Sequence, residues 1–407
     1  MDEHVIVTDL GYGDAGKGTV VDWLCERGPV RAVVRFNGGA QAGHNVVLPD
    51  GRHHTFAQFG AGTFRGVPTH LSRLTVVDPL ALAREAAHLA ELGVPDPLAL
   101  LTVDRDALLA TPYHVEAGRA RELARGEDRH GSCGMGVGET MAYALAHPDL
   151  APTAGDCEEP ARLTRKLRAL REALGVTGPE VEDCVAAFRA FAERVVLVGS
   201  SFVTALLRGR PVVFEGAQGV LLDEWHGFHP YTTWSTTTFA GALELLGGAP
   251  ALRLGVLRTY TPRHGPGPLV TEDTEDPALA LPEAHNGTGP WQGPFRTGHF
   301  DAVAHRYALA AAGGADALAL THLDAPVSRM CVSYDIGELP VGAPGDLERQ
   351  ARLTARLSRV RPRYADGIDD WPSAVAEALG VPVWLGSAGP TAADKVVLSG
   401  VIARGRV

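Results

Sequence analysis

The chain has 407 residues, of which 45% are hydrophobic and 21% are charged. These proportions are typical of a globular protein with a sizeable core, and the length suits one large α/β domain with insertions, or two lobes. The formal net charge of −11 argues against a large nucleic-acid-binding surface, although it leaves room for a local basic pocket that binds phosphates.

The cysteines and the apolar stretches indicate the compartment. The five cysteines are widely spaced and include no CxxC pair, so neither a disulfide framework nor a zinc ribbon is predicted. The first residues lack the basic and apolar regions of a signal peptide, and no apolar run approaches the ~18 residues of a membrane span. We therefore expect a cytoplasmic protein that binds neither membranes nor nucleic acid.

The N-terminal quarter alternates strand and helix patterns. Residues 4–10 predict a buried strand, and an amphipathic run at 19–27 predicts a helix after a glycine-rich turn. Further strands are predicted at 31–36 and 73–79, and an alanine- and leucine-rich helix at 79–93. This order is the opening of many nucleotide-binding α/β folds.

The middle of the chain has a different pattern. Residues 104–127 and 158–210 look helical and flank a polar glycine loop at 128–139, so we predict a largely helical insertion over 104–210. The Pro- and Gly-rich segment 262–298 is predicted to be a long functional loop. The remaining predicted strands are 211–215, 253–260, 317–323, 329–334 and 381–386. The whole pattern predicts an α/β fold with a mostly parallel central sheet and flanking helices.

The first glycine loop, GYGDAGKG at 11–18, nearly matches the spacing of a P-loop, but Gly18 stands where Ser or Thr would hold Mg²⁺. Such a loop closes backbone N–H groups around phosphate oxygens, and Lys17 adds a positive charge. Asp14 would repel phosphates unless it holds a metal or takes a proton from a substrate. The alternative is an ordinary strand–helix turn with a surface aspartate.

A second small-residue loop, RFNGGAQAGHN, occupies residues 35–45. Because the loops at the carboxyl ends of neighbouring parallel strands converge on one crevice, Asp14 and His44 are expected to face the same ligand. One would act as a base and the other as an acid or a phosphate-stabilising donor. The alternative is that His44 is only a loop residue.

These two loops together resemble adenylosuccinate synthetase, and the resemblance continues across nearly the whole chain. The motifs that carry it further are FEGAQG, LLD and HG within 214–227, PYTT at 230–233, YTPRHGPGP and TE within 260–272, RTG at 296–298 followed by Asp301, THLD at 321–324, and SAGP at 387–390. The resemblance implies a single domain over 1–407, a P-loop-like nucleotide site and a homodimer. It also implies transfer of the GTP γ-phosphoryl group to the 6-oxygen of IMP, followed by displacement of that phosphate by an amine.

The resemblance also implies residue roles, with GTP as co-substrate and Mg²⁺ as cofactor. Asp14 would remove the N1 proton of the base and hold Mg²⁺ together with the Gly43 carbonyl, while His44 and Lys17 would stabilise the phosphoryl group. The implied GTP contacts are Gly13, Gly16, Lys17, Gly18, Gly43, His44, Asn45, His322, Asp324, Ser387 and Gly389. The implied acceptor contacts are Asp14, Gln41, Cys133, Gln218, Thr233 and Arg263, and the implied donor contacts are Thr288, Trp291 and Arg296. Alternatives remain for three of them: Gln218 as a strand-end cap, Asp324 as a helix cap, and Thr233 as a turn residue.

The chain departs from the family where the substrate phosphate is held. Cys133 replaces a threonine, and a thiol is a poor hydrogen-bond donor. Met135 replaces an arginine, and residues 147–153 lack the arginine that reaches the phosphate of the neighbouring subunit. A charge-assisted contact contributes roughly 1.5–3 kcal/mol, so the loss of two such contacts is not trivial drift.

The segment that binds aspartate in the family is also changed. Of its run of arginines only Arg296 remains, whereas a dicarboxylate normally binds bidentate guanidinium groups. Trp291 and Phe295 suggest a less charged amine, unless another base such as His285 or Arg263 compensates. His322 replaces the lysine of the family's TKLD motif, and an imidazole can also stack on guanine.

The residues tied to phosphoryl transfer are therefore kept, and those tied to the 5′-phosphate and to aspartate are changed. We predict a GTP-dependent carbon–nitrogen ligase that activates a purine-like acceptor but uses an altered acceptor, an altered amine donor, or both. The alternatives are an ordinary adenylosuccinate synthetase, a GTP-binding protein without ligase activity, and a P-loop kinase. Gly18 counts against the kinase.

Overall fold

A computed structural model describes residues 3–283 and 286–398. The helices are α1 (Lys17–Arg27), α2 (Pro79–Glu91), α3 (Pro112–Ala124), α4 (Val137–Ala146), α5 (Pro160–Leu174), α6 (Val181–Ala192), α7 (Ser201–Leu206), α8 (Ala240–Leu246), α9 (Ala302–Ala311), α10 (Leu347–Leu357) and α11 (Trp371–Leu379). Short 3₁₀ helices cover Thr63–Arg65, Pro97–Leu100, Ala154–Glu158, Val220–Leu222, Pro277–Leu279 and Ala392–Asp394. No helix within the described ranges is long and apolar enough to cross a membrane.

The strands are β1 (His4–Asp9), β2 (Val33–Arg35), β3 (His44–Val47), β4 (His53–Phe56), β5 (Thr69–Leu71), β6 (Val76–Val77), β7 (Leu101–Asp104), β8 (Leu108–Leu109), β9 (Val196–Val198), β10 (Val213–Glu215), β11 (Ala251–Arg258), β12 (Tyr260–His264), β13 (Phe295–Asp301), β14 (Ala317–Thr321), β15 (Arg329–Tyr334), β16 (Pro362–Asp366), β17 (Val383–Ser387) and β18 (Lys395–Val397). Within the described part of the chain, ten of them form the central sheet, in the order β18-β17-β14-β11-β1-β10-β2-β5-β7-β9. Every neighbouring pair in it is parallel except β17 and β18. The predicted α/β class with a mostly parallel sheet is confirmed.

Both faces of this sheet are buried, which explains why its strands read as nearly continuous apolar runs. In β1, Val5 and Val7 belong to one hydrophobic core and Ile6 to the other, as the period of two in a strand requires. Because β1, β2, β10, β11, β14 and β17 are parallel, the loops after their last residues open at one edge of the sheet. That edge carries the candidate site.

One strand prediction needs correction. The strand predicted at 73–79 is reduced to β6, and the strand that joins the central sheet is instead β5, several residues earlier. The sequence shows no apolar pattern for β5, because Thr69 and His70 are polar. Both residues are nevertheless fully buried between β2 and β7. Residues 104–210 contain helices α3 to α7, and they also contribute β9, which pairs with β7 as the outermost strand.

The segment 262–298 is not a loop throughout, which is a second correction. Its two ends form the antiparallel pair of β12 and β13, so the loop itself covers 265–294. Within the described ranges, this pair continues into a second sheet of four strands in the order β12-β13-β15-β16. The sheet holds both ends of the loop beside the site-bearing edge of the central sheet.

Candidate active site

A buried carboxylate shapes the first glycine loop from within. Asp9, the last residue of β1, is 0% exposed and accepts hydrogen bonds from the backbone N–H groups of Gly11 (2.8 Å), Gly13 (3.3 Å) and Ala15 (2.9 Å). Lys17 Nζ lies 3.3 Å from the same carboxylate. Asp9 was missed from the sequence, although an acidic residue at the end of an apolar strand, directly before a glycine loop, was a usable signal.

The start of α1 is open toward the ligand side. Gly16 precedes the helix with a φ of 96°, a left-handed conformation that suits glycine, and no side chain caps the first turn. The unpaired N–H groups there form a natural site for phosphate oxygens. Lys17 is nearly buried beside them and donates from Nζ to the Gln218 carbonyl at 2.6 Å.

The structure explains why glycine replaces Ser or Thr at position 18. A Cβ on Gly18 would lie 2.9 Å from both the carbonyl carbon and the Cβ of His44, and 3.0 Å from the Asn45 oxygen. Distances below about 3.5 Å between carbon atoms are repulsive. The first loop can therefore pack directly on the second loop only because residue 18 has no side chain.

His44 is held by Glu215, the last residue of β10. The imidazole Nδ1 lies 2.6 Å from Glu215 Oε1, and the other carboxylate oxygen accepts from the Ala61 N–H at 3.0 Å. Burial lowers the pKa of His44 to about 4. Burial opposes ionisation of Glu215, but the interaction with His44 and the charge of Arg35 outweigh it and hold the pKa of Glu215 below its usual value. A neutral imidazole that donates Nδ1–H to Glu215 keeps Nε2 for a ligand.

Asp14 lies in the same cleft in a strained conformation. Its φ is 59°, which is unusual for a residue with a side chain and is typical of functional loops. Its Oδ2 lies 3.0 Å from His264 Nδ1, and its carbonyl accepts from Arg258 Nε at 2.5 Å. Burial favours the protonated acid, but His264, Arg258 and Lys17 outweigh that effect and lower the pKa of Asp14. Asp14 therefore presents an ionised carboxylate to the cleft.

Two glutamines offer hydrogen bonds that no described residue takes. Both side-chain amide atoms of Gln218 are buried without a partner, and so is Oε1 of Gln41. Gln218 also has a φ of 57°, so the backbone is held in a costly conformation there. A buried polar group without a partner is destabilising by about 1–3 kcal/mol, which indicates that a ligand supplies the partner. An amide carries both a donor and an acceptor, as the edge of a nucleobase does.

The far end of the cleft lies after β14. His322 has a φ of 58°, and its ring packs edge-on against Tyr260 at 5.4 Å between centroids. Burial lowers the pKa of His322 to about 3, so the ring is neutral. Asp324 is exposed on the cleft wall, and the neighbouring turn at 387–389 is joined to it by the hydrogen bond from Leu323 N–H to the Ser387 carbonyl. A flat neutral ring next to a carboxylate suits a base with N–H donors.

These loops enclose a cleft of about 900 Å³. All but two of the predicted site residues line it. They are Gly13, Asp14, Gly16, Lys17, Gly18, Gln41, Gly43, His44, Asn45, Cys133, Gln218, Thr233, Arg263, Thr288, His322, Asp324, Ser387 and Gly389. Residues separated by hundreds of positions in the chain therefore meet in one place.

The two predicted residues outside the cleft lining are Trp291 and Arg296. The Arg119 guanidinium lies over the Trp291 ring, with 5.3 Å between Arg119 Cζ and the ring centroid. Arg296 binds Glu272 through both carboxylate oxygens and donates to two carbonyls of the turn at 265–267. Arg296 therefore fastens the loop at its base, and the one arginine kept from the family's run does not reach the ligand side.

Arg263 lines the cleft, but its donors serve the protein. It is 1% exposed, lies 4.3 Å from the centroid of the Tyr12 ring, and donates to the carbonyls of Pro266 and Pro268 at 3.0 Å and of Tyr231 at 3.4 Å. The other base considered as a compensating group, His285, lies outside the described residues. Arg263 supports the loop rather than offering free N–H groups.

The remaining cations of the cleft also have partners. Sequence reasoning missed Arg121, Arg125 and Arg258 because nothing in their local pattern distinguishes them from surface residues. Among the described residues that line the cleft, every Lys and Arg side chain is engaged: Lys17 with Asp9, Arg121 with Glu139, Arg125 with Glu122, Arg258 with Glu283, and Arg263 with three carbonyls. Among these described cations, four are therefore paired with carboxylates and Arg263 is paired with carbonyls.

The glycine loop before α4 and the first turn of that helix offer few side-chain donors to an anion. Burial raises the pKa of the Cys133 thiol, so it is protonated and a weak donor. Glu139, in the first turn of α4, is 7% exposed, and burial raises its pKa as well. These two side chains stand in a part of the cleft where the resemblance implied phosphate binding.

Comparisons with known proteins agree with this geometry. Residues 6–381 match the sequence profile of the family described as adenylosuccinate synthetase. The adenylosuccinate synthetase of Marinomonas sp. is 33% identical over 436 residues, covering 98% of this chain and 99% of the relative. That of Thermosynechococcus vestitus is 31% identical over 428 residues, covering 97% and 94%.

Two solved structures share the fold. The fully ligated adenylosuccinate synthetase of Plasmodium falciparum has a TM-score of 0.82 at 22% identity, with 98% of this chain and 100% of that chain covered. Succinoaminodeoxyadenylate synthetase of cyanophage S-2L, bound to dGMP and to dATP as energy donor, has a TM-score of 0.63 at 19% identity, with 98% and 95% covered.

The matches run over nearly the full length of the chain and include the loops that build the cleft. Enzymes of the matched family use GTP and Mg²⁺ to join an amine to an activated carbon. The chain belongs to the adenylosuccinate synthetase family of GTP-dependent carbon–nitrogen ligases.

Proposed function

We propose that this ligase transfers the γ-phosphoryl group of GTP to a carbonyl oxygen of a purine-like acceptor and lets an amine displace the phosphate, with an acceptor, a donor, or both, other than IMP and L-aspartate. The supporting observation is that, in the described part of the cleft, each lysine and arginine already has an anionic or carbonyl partner. A dianionic phosphate and a dicarboxylate both need cations that are free to bind them.

The Arg121–Glu139 pair illustrates the conflict. Arg121 NH2 lies 3.0 Å from Glu139 Oε2, and the carboxylate is 9% exposed whereas the arginine is 54% exposed. If an anionic substrate took Arg121, Glu139 would be left nearly buried beside another negative charge. The loss of a buried partner costs about 1–3 kcal/mol, and more for charged groups. An acceptor without a phosphate, or a less acidic amine, avoids that cost.

The donor side supports the same proposal. The polar side chains that the described part of the 265–294 loop contributes to the cleft are Asn286, Thr288 and Gln292, which are neutral, and Glu283, which is paired with Arg258; none of these is a cation. Arg296 is bound to Glu272 instead. The cyanophage relative, which shares the fold, is named for a different product and has dGMP bound. A protein of this fold can therefore bind a purine nucleotide other than IMP.

The activation chemistry follows from the residues that are kept. Asp14 would accept the proton that leaves the acceptor nitrogen, and His264 positions its carboxylate. Binding of the phosphates would favour the protonated form of His44, whose Nδ1–H stays on Glu215 while its Nε2–H donates to the phosphoryl oxygens. The first turn of α1 would bind the phosphates together with Lys17, whose Nζ keeps one N–H beyond those directed at Asp9 and Gln218. Gln218 would pair with the edge of the base.

The cleft also fits the Mg²⁺ ion that the family uses. Its ligands would be the Asp14 carboxylate and the Gly43 carbonyl, both of which line the cleft, and oxygen atoms are the ligands that Mg²⁺ prefers. When bound, the ion neutralises charge on the transferring phosphoryl group.

The test is a matrix of acceptors and amines, read by GDP release and by product mass. IMP, dGMP, inosine and deoxyinosine are each combined with L-aspartate, its monoamide and neutral amino acids, in the presence of GTP and Mg²⁺. GTP binding is measured first, because a folded protein that binds GTP and turns over no pair at all would be the non-catalytic alternative. We expect product with an uncharged or less charged pair and little or none with IMP and L-aspartate.

The second candidate, ordinary adenylosuccinate synthesis, is favoured by the 33% identity to a curated enzyme of that name. A fast, aspartate-dependent rate with IMP, with adenylosuccinate confirmed by mass, would overturn the proposed change of substrate. The variant Glu139→Gln separates the two physical explanations, because it frees Arg121 without adding a cation. If charge pairing excludes anions, this variant should bind IMP or aspartate more tightly than the wild type.

A further inference from the structure

A second group of ligating side chains lies outside the cleft. Asp273, Asp276 and His299 each place one ligand atom within 4.8 Å of the others, and none of the three lines the cleft. His299 Nε2 is 3.5 Å from Asp273 Oδ2 and 3.6 Å from Asp276 Oδ2. Two carboxylates from the turn at 273–276 thus converge on one imidazole from β13.

The backbone fixes the direction of both carboxylates. Asp273 Oδ1 accepts from the N–H groups of Glu275 at 3.0 Å and Asp276 at 3.1 Å, and Asp276 Oδ1 accepts from Ala278 N–H at 2.9 Å. The second oxygen of each group is therefore directed toward His299. Ligands oriented by hydrogen bonds of this kind are typical of metal sites.

His299 gives the independent observation. It is 1% exposed, and neither ring nitrogen has a hydrogen-bond partner among the described residues. Tyr364 packs edge-on against it at 5.3 Å between centroids and holds the ring plane. The nearby cation Arg329 is itself paired with Asp366.

The distances suit a small divalent ion. In a tetrahedral site with bonds of about 2.0–2.1 Å, neighbouring ligand atoms are about 3.3–3.4 Å apart. The two separations from Nε2 are close to that value. One imidazole with two carboxylates favours zinc-like ions over Mg²⁺ and Ca²⁺, which prefer oxygen ligands alone.

We propose that Asp273, Asp276 and His299 bind one divalent transition ion, best Zn²⁺, with water completing its coordination. The ion fastens the turn at 273–276 to β13, next to the Glu272–Arg296 pair that holds the base of the 265–294 loop. The bound ion would hold the 265–294 loop in place from outside the cleft. This site is distinct from the proposed Mg²⁺ site at Asp14 and Gly43.

The test is zinc titration by calorimetry of the full-length, chelator-stripped protein in excess Mg²⁺. The main variant, Asp273→Asn with Asp276→Asn, keeps the oxygens that accept from the backbone and removes both charges. The matched control is Glu275→Gln, which changes an exposed carboxylate of the same turn. We expect one zinc per chain in the wild type and the control, and affinity weaker by more than roughly 100-fold in the double variant.

Two further readouts keep the result independent of folding. Circular dichroism must show that all three metal-free proteins are folded, and zinc should raise the unfolding temperature of the wild type and the control but not of the double variant. Co²⁺ should give visible absorption bands only in the first two. Equal zinc affinity in the double variant, or no stoichiometric zinc binding by the folded wild type, would overturn the proposal.

Discussion

Replacing Gly18 by alanine should lower the turnover rate strongly while it lowers the stability of the fold only slightly. The added Cβ would lie 2.9 Å from two carbon atoms of His44. Because carbon atoms pack best at about 3.5–4.0 Å, the loop that carries His44 must move by about 0.6–1 Å. Overpacking of this kind costs about 1–3 kcal/mol, and replacing a glycine inside a helix returns about 1 kcal/mol. The net loss of stability should therefore be at most about 2 kcal/mol.

The effect on turnover should be much larger than the effect on stability. A displacement of about 1 Å of a catalytic group can lower the rate about 100-fold, so we expect kcat for GDP formation to fall by about 10–100-fold with the best acceptor and donor. Gly18→Ser, which restores the usual P-loop residue, should be no more active than Gly18→Ala. GTP affinity and thermal unfolding are measured alongside.

The matched control is Gly199→Ala, whose Cβ would meet no atom within 4 Å. It should keep the wild-type kcat. Wild-type turnover by a normally folded Gly18→Ala enzyme would refute the reasoning, because it would mean that the two loops do not pack as described. A loss of turnover explained entirely by unfolding at the assay temperature would refute the separation of the two effects.

The remaining predictions concern three residues of the cleft, Asp14, His44 and Gln218, and the buried acid Asp301. Asp14→Ala and His44→Ala should each abolish ligation while GTP binding stays nearly intact in a calorimetric titration, and substantial ligation by either variant would contradict its assigned role. Gln218→Met should raise KM for the acceptor by about 2–12-fold, as expected for one lost neutral hydrogen bond. The unfolding temperature should stay unchanged or rise because the amide has no partner among the described residues; a lower unfolding temperature with an unchanged KM would argue for a structural role. Burial raises the pKa of Asp301 from 3.8 to about 6, although the Tyr334 hydroxyl donates to it at 2.5 Å. The protonated acid stabilises the fold below pH 4, and that contribution of about 2–3 kcal/mol is lost as pH rises through 6. Asp301→Asn should remove this loss, so urea unfolding at pH 4 and pH 7 should show a smaller decrease than in the wild type, and an equal decrease in both would contradict the assignment.

Local patterns predicted the elements that carry the glycine loops because those elements are strongly apolar. β1, β10, β11 and β14 are buried on both faces, so their sequences are nearly continuous hydrophobic runs. β5 and β9 were missed for the opposite reason. Each has only three residues, and β5 is polar, so only pairing with neighbouring strands makes it a strand.

The same difference applies to the site. The order of motifs along the chain placed Asp14, Lys17, His44 and Gln218 together, because parallel strands send their following loops to one edge. Nothing local revealed that Glu215 would hold His44 from 171 positions away. Sequence reasoning identified the residues that line the cleft more readily than those that hold them in place.

The sequence by itself determined the family and the class of reaction, and it raised the hypothesis of a changed substrate, since these follow from which residue types stand in which order. Only the tertiary structure decided which charges are free. The sequence predicted that Arg296 contacts the amine donor, but in the structure it is bound to Glu272. Arg258 was not among the predicted site residues, although it contacts Asp14 and Glu283 in the cleft. The physical reason is that Coulomb and hydrogen-bond energies depend on distances of a few ångströms, which the fold sets and chain position does not.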